Sequence, residues 1–202
     1  MRYGLAQLVA EEADLEICGE AGSAAEGLAK IPELQPDLVV IDLTLPDKTG
    51  LELLKDIQAM HPGTRCLVLS MHDEGVYGER ALRAGARGYL MKEVAASQFV
   101  NAARRVLAGA MFVSDALNTR MLEQAVGGRT PGSPSPIERL SDRELEVLEK
   151  IGRGVATKNI ADQMNISPRT VEAHRAHIKE KLGLTDGAEL VRFAVQWVDE
   201  RR

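Results

Sequence analysis

The chain has 202 residues, a net charge of −5, 45% hydrophobic residues and 27% charged residues. That is enough chain for one or two domains of near-average composition, which excludes a disordered or collagen-like protein. Aromatic residues make up only 3%, so the cores must be built from Leu, Val, Ile and Ala.

No apolar run approaches the ~20 residues that a membrane span needs. Met1-Arg2-Tyr3-Gly4 opens no long apolar segment of the signal-peptide kind, so a cytoplasmic protein without membrane contact is expected. Cys18 and Cys66 then read as reduced, buried thiols rather than a disulfide framework. The charge is unevenly spread. Arg139 to Arg202 carries 12 Lys+Arg against 11 Asp+Glu, and the part before it 13 against 19. An acidic half and a near-neutral half suggest two jobs.

In chain order, Leu15-Glu16-Ile17-Cys18-Gly19 reads as a short strand, and Ser23 to Ile31 as a helix begun by a serine cap. Leu38-Val39-Val40-Ile41 is apolar throughout, as in a strand buried on both faces. Leu51 to Met60 is a helix stopped by His61-Pro62-Gly63. Cys66-Leu67-Val68-Leu69 is another buried strand, and Gly75 to Ala84 another helix. Gly88-Tyr89-Leu90-Met91 is a short strand, followed by a helix with Phe99, Ala102, Ala103, Val106 and Leu107 on one face. The alternation predicts an α/β unit over residues 1–110, a parallel sheet with helices on both sides.

Residues 111–138 read as a linker helix followed by a linker, because Gly127 to Glu138 holds three Gly, three Pro and two Ser. From residue 139 to 202 no strand signal is found. Ser141-Asp142-Arg143-Glu144 is a capping box, and Leu145, Leu148 and Ile151 form an apolar stripe that ends near Gly152-Arg153-Gly154. A second helix runs from about Thr157 to Met164. A third starts with Ser167 as cap and Pro168 at its first position, and continues to Leu182 before Gly183. A fourth, Ala188 to Trp197, closes an all-α four-helix unit.

Three polar residues close three neighbouring strands: Asp42, Ser70 and Lys92. In open α/β sheets chemistry gathers at the carboxyl ends of the strands. A carboxylate, a hydroxyl and an ammonium converging there suit a phosphoryl group, attacked by Asp42 and contacted by Ser70 and Lys92. On position alone, Asp42 reads equally as a turn or capping residue.

Val39 to Gly50, reading VVIDLTLPDKTG, resembles the phosphorylation loop of response-regulator receiver domains, and Leu69-Ser70 and Gly85 to Lys92 resemble that family's switch hydroxyl and lysine regions. The resemblance implies a CheY-like doubly wound parallel sheet with Asp42 as phosphoacceptor. Ser70 would be the hydroxyl that turns toward the phosphate, Lys92 its salt-bridge partner, and Tyr89 the aromatic that changes rotamer with Ser70. It also implies Mg²⁺, held by Asp42 and the Thr44 backbone carbonyl together with two acidic residues that end a first strand. Here the sequence departs from the family: Arg2 to Glu12 reads as the first helix, and neither that strand nor its acidic pair is present. The intact downstream motifs favour a misplaced start codon over a degenerate receiver. As the chain stands, the sheet is expected to lack its first strand and the Mg²⁺ site to be poor.

Thr157 to Leu182 places two helices around the turn Asn165-Ile166, a helix-turn-helix layout. Leu140 to Leu148 and Ser167 to Arg175 resemble the four-helix DNA-binding domain of the LuxR/FixJ/NarL family. At 3.6 residues per turn, Thr170, Val171, His174, Ile178 and Leu182 share the side expected to face the other helices. Candidate DNA contacts are Lys158, Arg169, Thr170, Glu172, Ala173, Arg175, Ala176 and Lys179. Glu172 suits a cytosine amino group, the alanines a thymine methyl, and the basic residues phosphates. His174 and His177 lack a third ligand nearby, so packing and surface positions are expected rather than a metal pair.

The two resemblances together imply a transcription factor that a sensor histidine kinase phosphorylates and that binds double-stranded DNA as a homodimer. A regulator independent of phosphorylation is the alternative. An aspartyl-phosphate phosphatase is a remote third, since Asp42-Leu43-Thr44 lacks the second carboxylate of an Asp-x-Asp pair.

Overall fold

The computed structural model describes residues 2–126 and 136–200. The chain divides into two compact units, Met1–Gly128 and Arg129–Arg202. Residues 127–135 of the expected linker lie outside the described residues.

In the first unit the elements run α1 (Arg2–Ala10), α2 (Ala24–Leu34), β1 (Leu38–Ile41), α3 (Gly50–Met60), β2 (Arg65–Ser70), α4 (Glu74–Arg83), β3 (Gly88–Met91), α5 (Ala95–Leu107) and α6 (Asp115–Val126). The three strands form a parallel sheet in the order β1-β2-β3, with Val39 opposite Cys66 and Leu69 opposite Leu90. Side chains alternate across the sheet. Leu67, Leu69 and Leu90 enter a core with Val9 of α1 and Phe99, Ala102 and Val106 of α5. Val68 and Tyr89 serve the opposite face, where α4 packs on β3 and α3 joins α2 to α4.

Leu15–Gly19 is not a strand. A strand needs a neighbour to take its N–H and C=O groups, and among the described residues none is paired with it. Side chains serve the segment beyond it instead: Lys30 Nζ donates to the Glu20 carbonyl at 2.6 Å and Arg2 Nη1 to the Ala21 carbonyl at 3.0 Å. Leu15 packs against the α1–α5 core, but Ile17 and Cys18 are exposed. Of the two cysteines only Cys66 is buried, and burial pushes its thiol up to about 12. For the same reason β1 is not covered on both faces. Among the described residues it pairs with β2 alone, and Val40 remains 36% exposed.

Helix α6, grouped above with the linker, packs on α4 through the buried Leu117. Gly78 permits this approach, since a Cβ there would lie 2.6 Å from Leu117 Cδ2.

The second unit comprises α7 (Asp142–Gly152), α8 (Thr157–Met164), α9 (Pro168–Leu182) and α10 (Gly187–Asp199). Leu145, Leu148 and Ile151 of α7 bury with Ile160, Val171, Ile178, Leu190 and Ala194. The caps are those the sequence predicts. Ser141 and Glu144 form the capping box, and Ser167 caps α9 ahead of Pro168. Asn165 ends α8 at φ 52°, a left-handed position that Asn tolerates.

Candidate functional site

In the first unit the site lies at the carboxyl ends of the strands. Ile41, buried at the end of β1, holds the backbone from which Asp42 projects, and Lys92 begins a 3-10 turn directly after β3. The structure brings these two together. Lys92 Nζ lies 2.5 Å from Asp42 Oδ2, and the Thr44 N–H donates to Asp42 Oδ1 at 3.1 Å. Both oxygens of the carboxylate are therefore engaged.

Ser70 is fully buried at the end of β2, and its Oγ accepts from the His72 N–H at 3.0 Å. Tyr89 is also buried, and its hydroxyl donates to the His72 carbonyl at 2.7 Å. His72 was not among the residues singled out from sequence. The available signal was its place two residues after Ser70. Its Nε2 lies 3.1 Å from Thr44 Oγ1, and its ring tilts against Tyr77 with centroids 4.7 Å apart.

The loop between Asp42 and α3 is pinned at several points. Thr49 and Glu52 form a capping box, and the Gly50 N–H donates to the Leu43 carbonyl at 2.9 Å. Asp47 accepts from the N–H groups of Ala24 and Ala25, each at 2.9 Å, at the start of α2. Burial pushes the Asp47 carboxyl up, but these bonds and those from the Asp47 and Lys48 N–H groups outweigh it and hold the group below its usual range. Lys48 pairs with Asp56 on α3.

Mg²⁺ requires near-octahedral oxygen coordination. At the Asp42 site the carboxylate is already paired with Lys92. Among the described residues no three His, Cys, Asp or Glu side chains gather as metal ligands. With that carboxylate so engaged, the described side chains are a poor fit for the ion. His174 and His177 are likewise in no such group.

In the second unit Arg169, Thr170, Glu172, Ala173 and Ala176 are exposed on α9, as is Lys158 on α8, whereas Arg175 and Lys179 are half-buried. Val171 and Ile178 are buried, and His174 and Leu182 half-buried, as phased. Thr170 is exposed, contrary to its place on the inner side of the wheel. It sits in the first turn of α9, where its Oγ1 lies 2.8 Å from the Ser167 cap. Glu172 accepts from Thr157 Oγ1 at 3.1 Å and lies 3.4 Å from Arg175 Nε, so its carboxylate is held from both sides. Burial holds His174 below the ordinary histidine value.

Glu144 has a second role that the capping pattern did not show. It is 3% exposed and receives Lys181 Nζ of α9 at 2.6 Å, tying α7 to the end of the helix-turn-helix. Burial pushes its carboxyl up, but Lys181 and the Ser141 donors prevail and hold it below the usual range.

Residues 1–104 match the response regulator receiver domain family, and residues 138–194 match the bacterial regulatory proteins of the luxR family. The oxygen regulatory protein NreC of Staphylococcus aureus strain JH9 is 34% identical over 200 residues, covering 97% of this chain and 92% of that protein. The crystal structure of a LuxR-family two-component response regulator from Aurantimonas sp. SI85-9A1 is similar over 62% of this chain and 89% of its own, with 31% identity and a TM-score of 0.57. The fold of RcsB from Salmonella enterica serovar Typhimurium, bound to promoter P1flhDC in the presence of phosphomimetic BeF3-, is similar over 96% of this chain and 93% of its own. The identity there is 22% and the TM-score 0.63. This chain therefore belongs to the two-component response regulators of the LuxR family, DNA-binding transcriptional regulators that carry a receiver domain and a LuxR-type helix-turn-helix domain.

Proposed function

We propose that phosphorylation of Asp42 controls how the second unit binds DNA. The observation that carries this reading is the pairing of Asp42 with Lys92, at the ends of the two strands that flank β2 and Ser70. An Asp42 oxygen attacks the phosphorus of a phosphohistidine on a sensor histidine kinase. The new P–O bond forms as the P–N bond breaks, and the imidazole nitrogen leaves with the electron pair. Lys92, released from the carboxylate, contacts the phosphoryl oxygens, and Ser70 leaves the His72 N–H to reach them. Tyr89 changes rotamer with Ser70, and the altered surface promotes a homodimer on double-stranded DNA. RcsB bound to a promoter with a phosphomimetic gives this reading a parallel in the fold.

On DNA, Lys158, Arg169, Arg175 and Lys179 set the register on phosphates. Thr170, Glu172, Ala173 and Ala176 face the base edges. Incubation with acetyl phosphate and Mg²⁺, followed by intact mass and peptide mapping, tests the switch: one phosphoryl group on Asp42, absent in Asp42→Ala, is expected. A second reading, regulation independent of phosphorylation, is favoured by the lack of any group of three metal-ligating side chains among the described residues. No label on Asp42, with DNA binding intact, would establish that second reading instead.

A further inference from the structure

We propose that His72 is a positioning residue that couples the Asp42 loop to Ser70 and Tyr89. Its backbone holds both groups, through its N–H to Ser70 Oγ and its carbonyl to the Tyr89 hydroxyl. Any residue there could make those bonds. The side chain is what adds the coupling. Its Nε2 meets Thr44 Oγ1 at 3.1 Å, and the backbone of that same Thr44 donates to Asp42 Oδ1. Tyr77, itself buried, supports the ring from α4. A continuous path therefore runs from the Asp42 carboxylate through Thr44 and His72 to both groups.

The consequence is mechanical. Movement of the Asp42 loop that draws Thr44 away loses the ring contact. Residue 72 is then freer to release the Ser70 hydroxyl and the Tyr89 hydroxyl together. With the contact in place, both are held where they stand. Coupling of this kind needs a chain of contacts with two arrangements.

The inference deepens the phosphorylation reading and rests on it for what moves the loop. Its test uses no phosphodonor, so an unlabelled Asp42 and an uncoupled His72 are separate failures. Thr44→Val and His72→Leu delete one hydrogen bond from its two ends, and His72→Gln retains a side chain able to bond Thr44. The readouts are the ring resonances of Tyr89 and the amide exchange of His72 in the full chain. Thr44→Val should shift Tyr89, which it does not hydrogen-bond, and speed His72 exchange about fivefold, the scale of one net hydrogen bond. His72→Leu should do the same, the double variant no more than either alone, and His72→Gln should stay near wild type. Thr44 is exposed, so its variant keeps the fold even if His72→Leu does not. Unchanged Tyr89 resonances in Thr44→Val, or additive effects of the two substitutions, would overturn the proposal.

Discussion

Gly50 opens α3 beneath the Asp42 loop, and Gly152 closes α7 beneath α10. A Cβ at either would lie 2.3 Å from a backbone oxygen, that of Asp42 in the first unit and that of Ala194 in the second. The two contacts are alike in tightness and differ in what they hold. At Gly50 the close approach sets the backbone of the candidate phosphoacceptor, so the fold and the site share one contact. At Gly152 it sets the distance between two core helices, and the candidate DNA contacts of α9 lie elsewhere. The candidate site of the first unit thus depends on local backbone placement, whereas that of the second is a set of side chains on a helix anchored by the buried Val171 and Ile178.

The sharpest way to break that comparison is to add the same methyl group at both places. Gly50→Ala and Gly152→Ala should each cost about 2–3 kcal/mol, the scale of overpacking against immovable backbone. The chain's one tryptophan, Trp197, is buried in the second unit and separates the two effects. Gly152→Ala should lower the transition seen by its fluorescence. Gly50→Ala should leave that transition in place, destabilise the first unit by hydrogen exchange and abolish phosphoryl transfer to Asp42. A shift of the Trp197 transition by Gly50→Ala would remove the distinction.

Much of both units was legible because the signals are local. Ser23, Ser141 and Ser167 announce helix starts through bonds made within three residues, and Pro168 fits the first turn whatever surrounds it. Asp42 and Lys92 were legible because each ends an apolar run. Leu15–Gly19 failed because a strand is a property of pairs: its composition suits a sheet, but among the described residues no neighbour joins it. Val40 and Cys18 are exposed for the same reason. His72 and Lys181 were missed because their partners, Thr44 and Glu144, lie 28 and 37 residues away. No short-range periodicity reports such distances. Thr170 was misplaced because phasing assigns a direction without saying how far the neighbouring helices extend.

The units also differ in how they use ion pairs. Glu144 and Lys181 join α7 to α9 from a nearly buried carboxylate, so removing the charge leaves an ammonium without its partner. Glu144→Gln should destabilise the second unit by about 2 kcal/mol. The folded carboxyl titrates below its ordinary 4.5, so its contribution is present above that value and is lost as the pH falls through the folded one. Stability of the wild type, followed through Trp197, should decline as the medium is acidified below about pH 4.5. The Glu144→Gln variant should start lower and decline less. Equal slopes for the two proteins would show that other carboxylates govern the acid limb.

The first unit offers the exposed counterpart. Arg104 of α5 reaches Asp14 through Nε at 2.9 Å and Nη2 at 2.6 Å, and Glu12 through Nη2 at 2.5 Å. The Arg104 bond, the largest influence on Asp14, holds that carboxyl below its usual range. Its effect is thus present above the ordinary Asp value and is lost as the pH falls through the lowered one. The cluster is open to solvent and salt screens it, so global stability should barely change in Arg104→Met. Its effect should be local instead, because it fastens the entrance to Leu15–Gly19, a segment that joins no ladder among the described residues. Amides of Glu12 to Glu16 should exchange faster in Arg104→Met. Wild type in high salt should move toward the same pattern, and the Trp197 transition should stay fixed. If those amides exchange equally in both proteins, packing of Leu15 on the α1–α5 core holds the segment and the ion cluster is incidental to it.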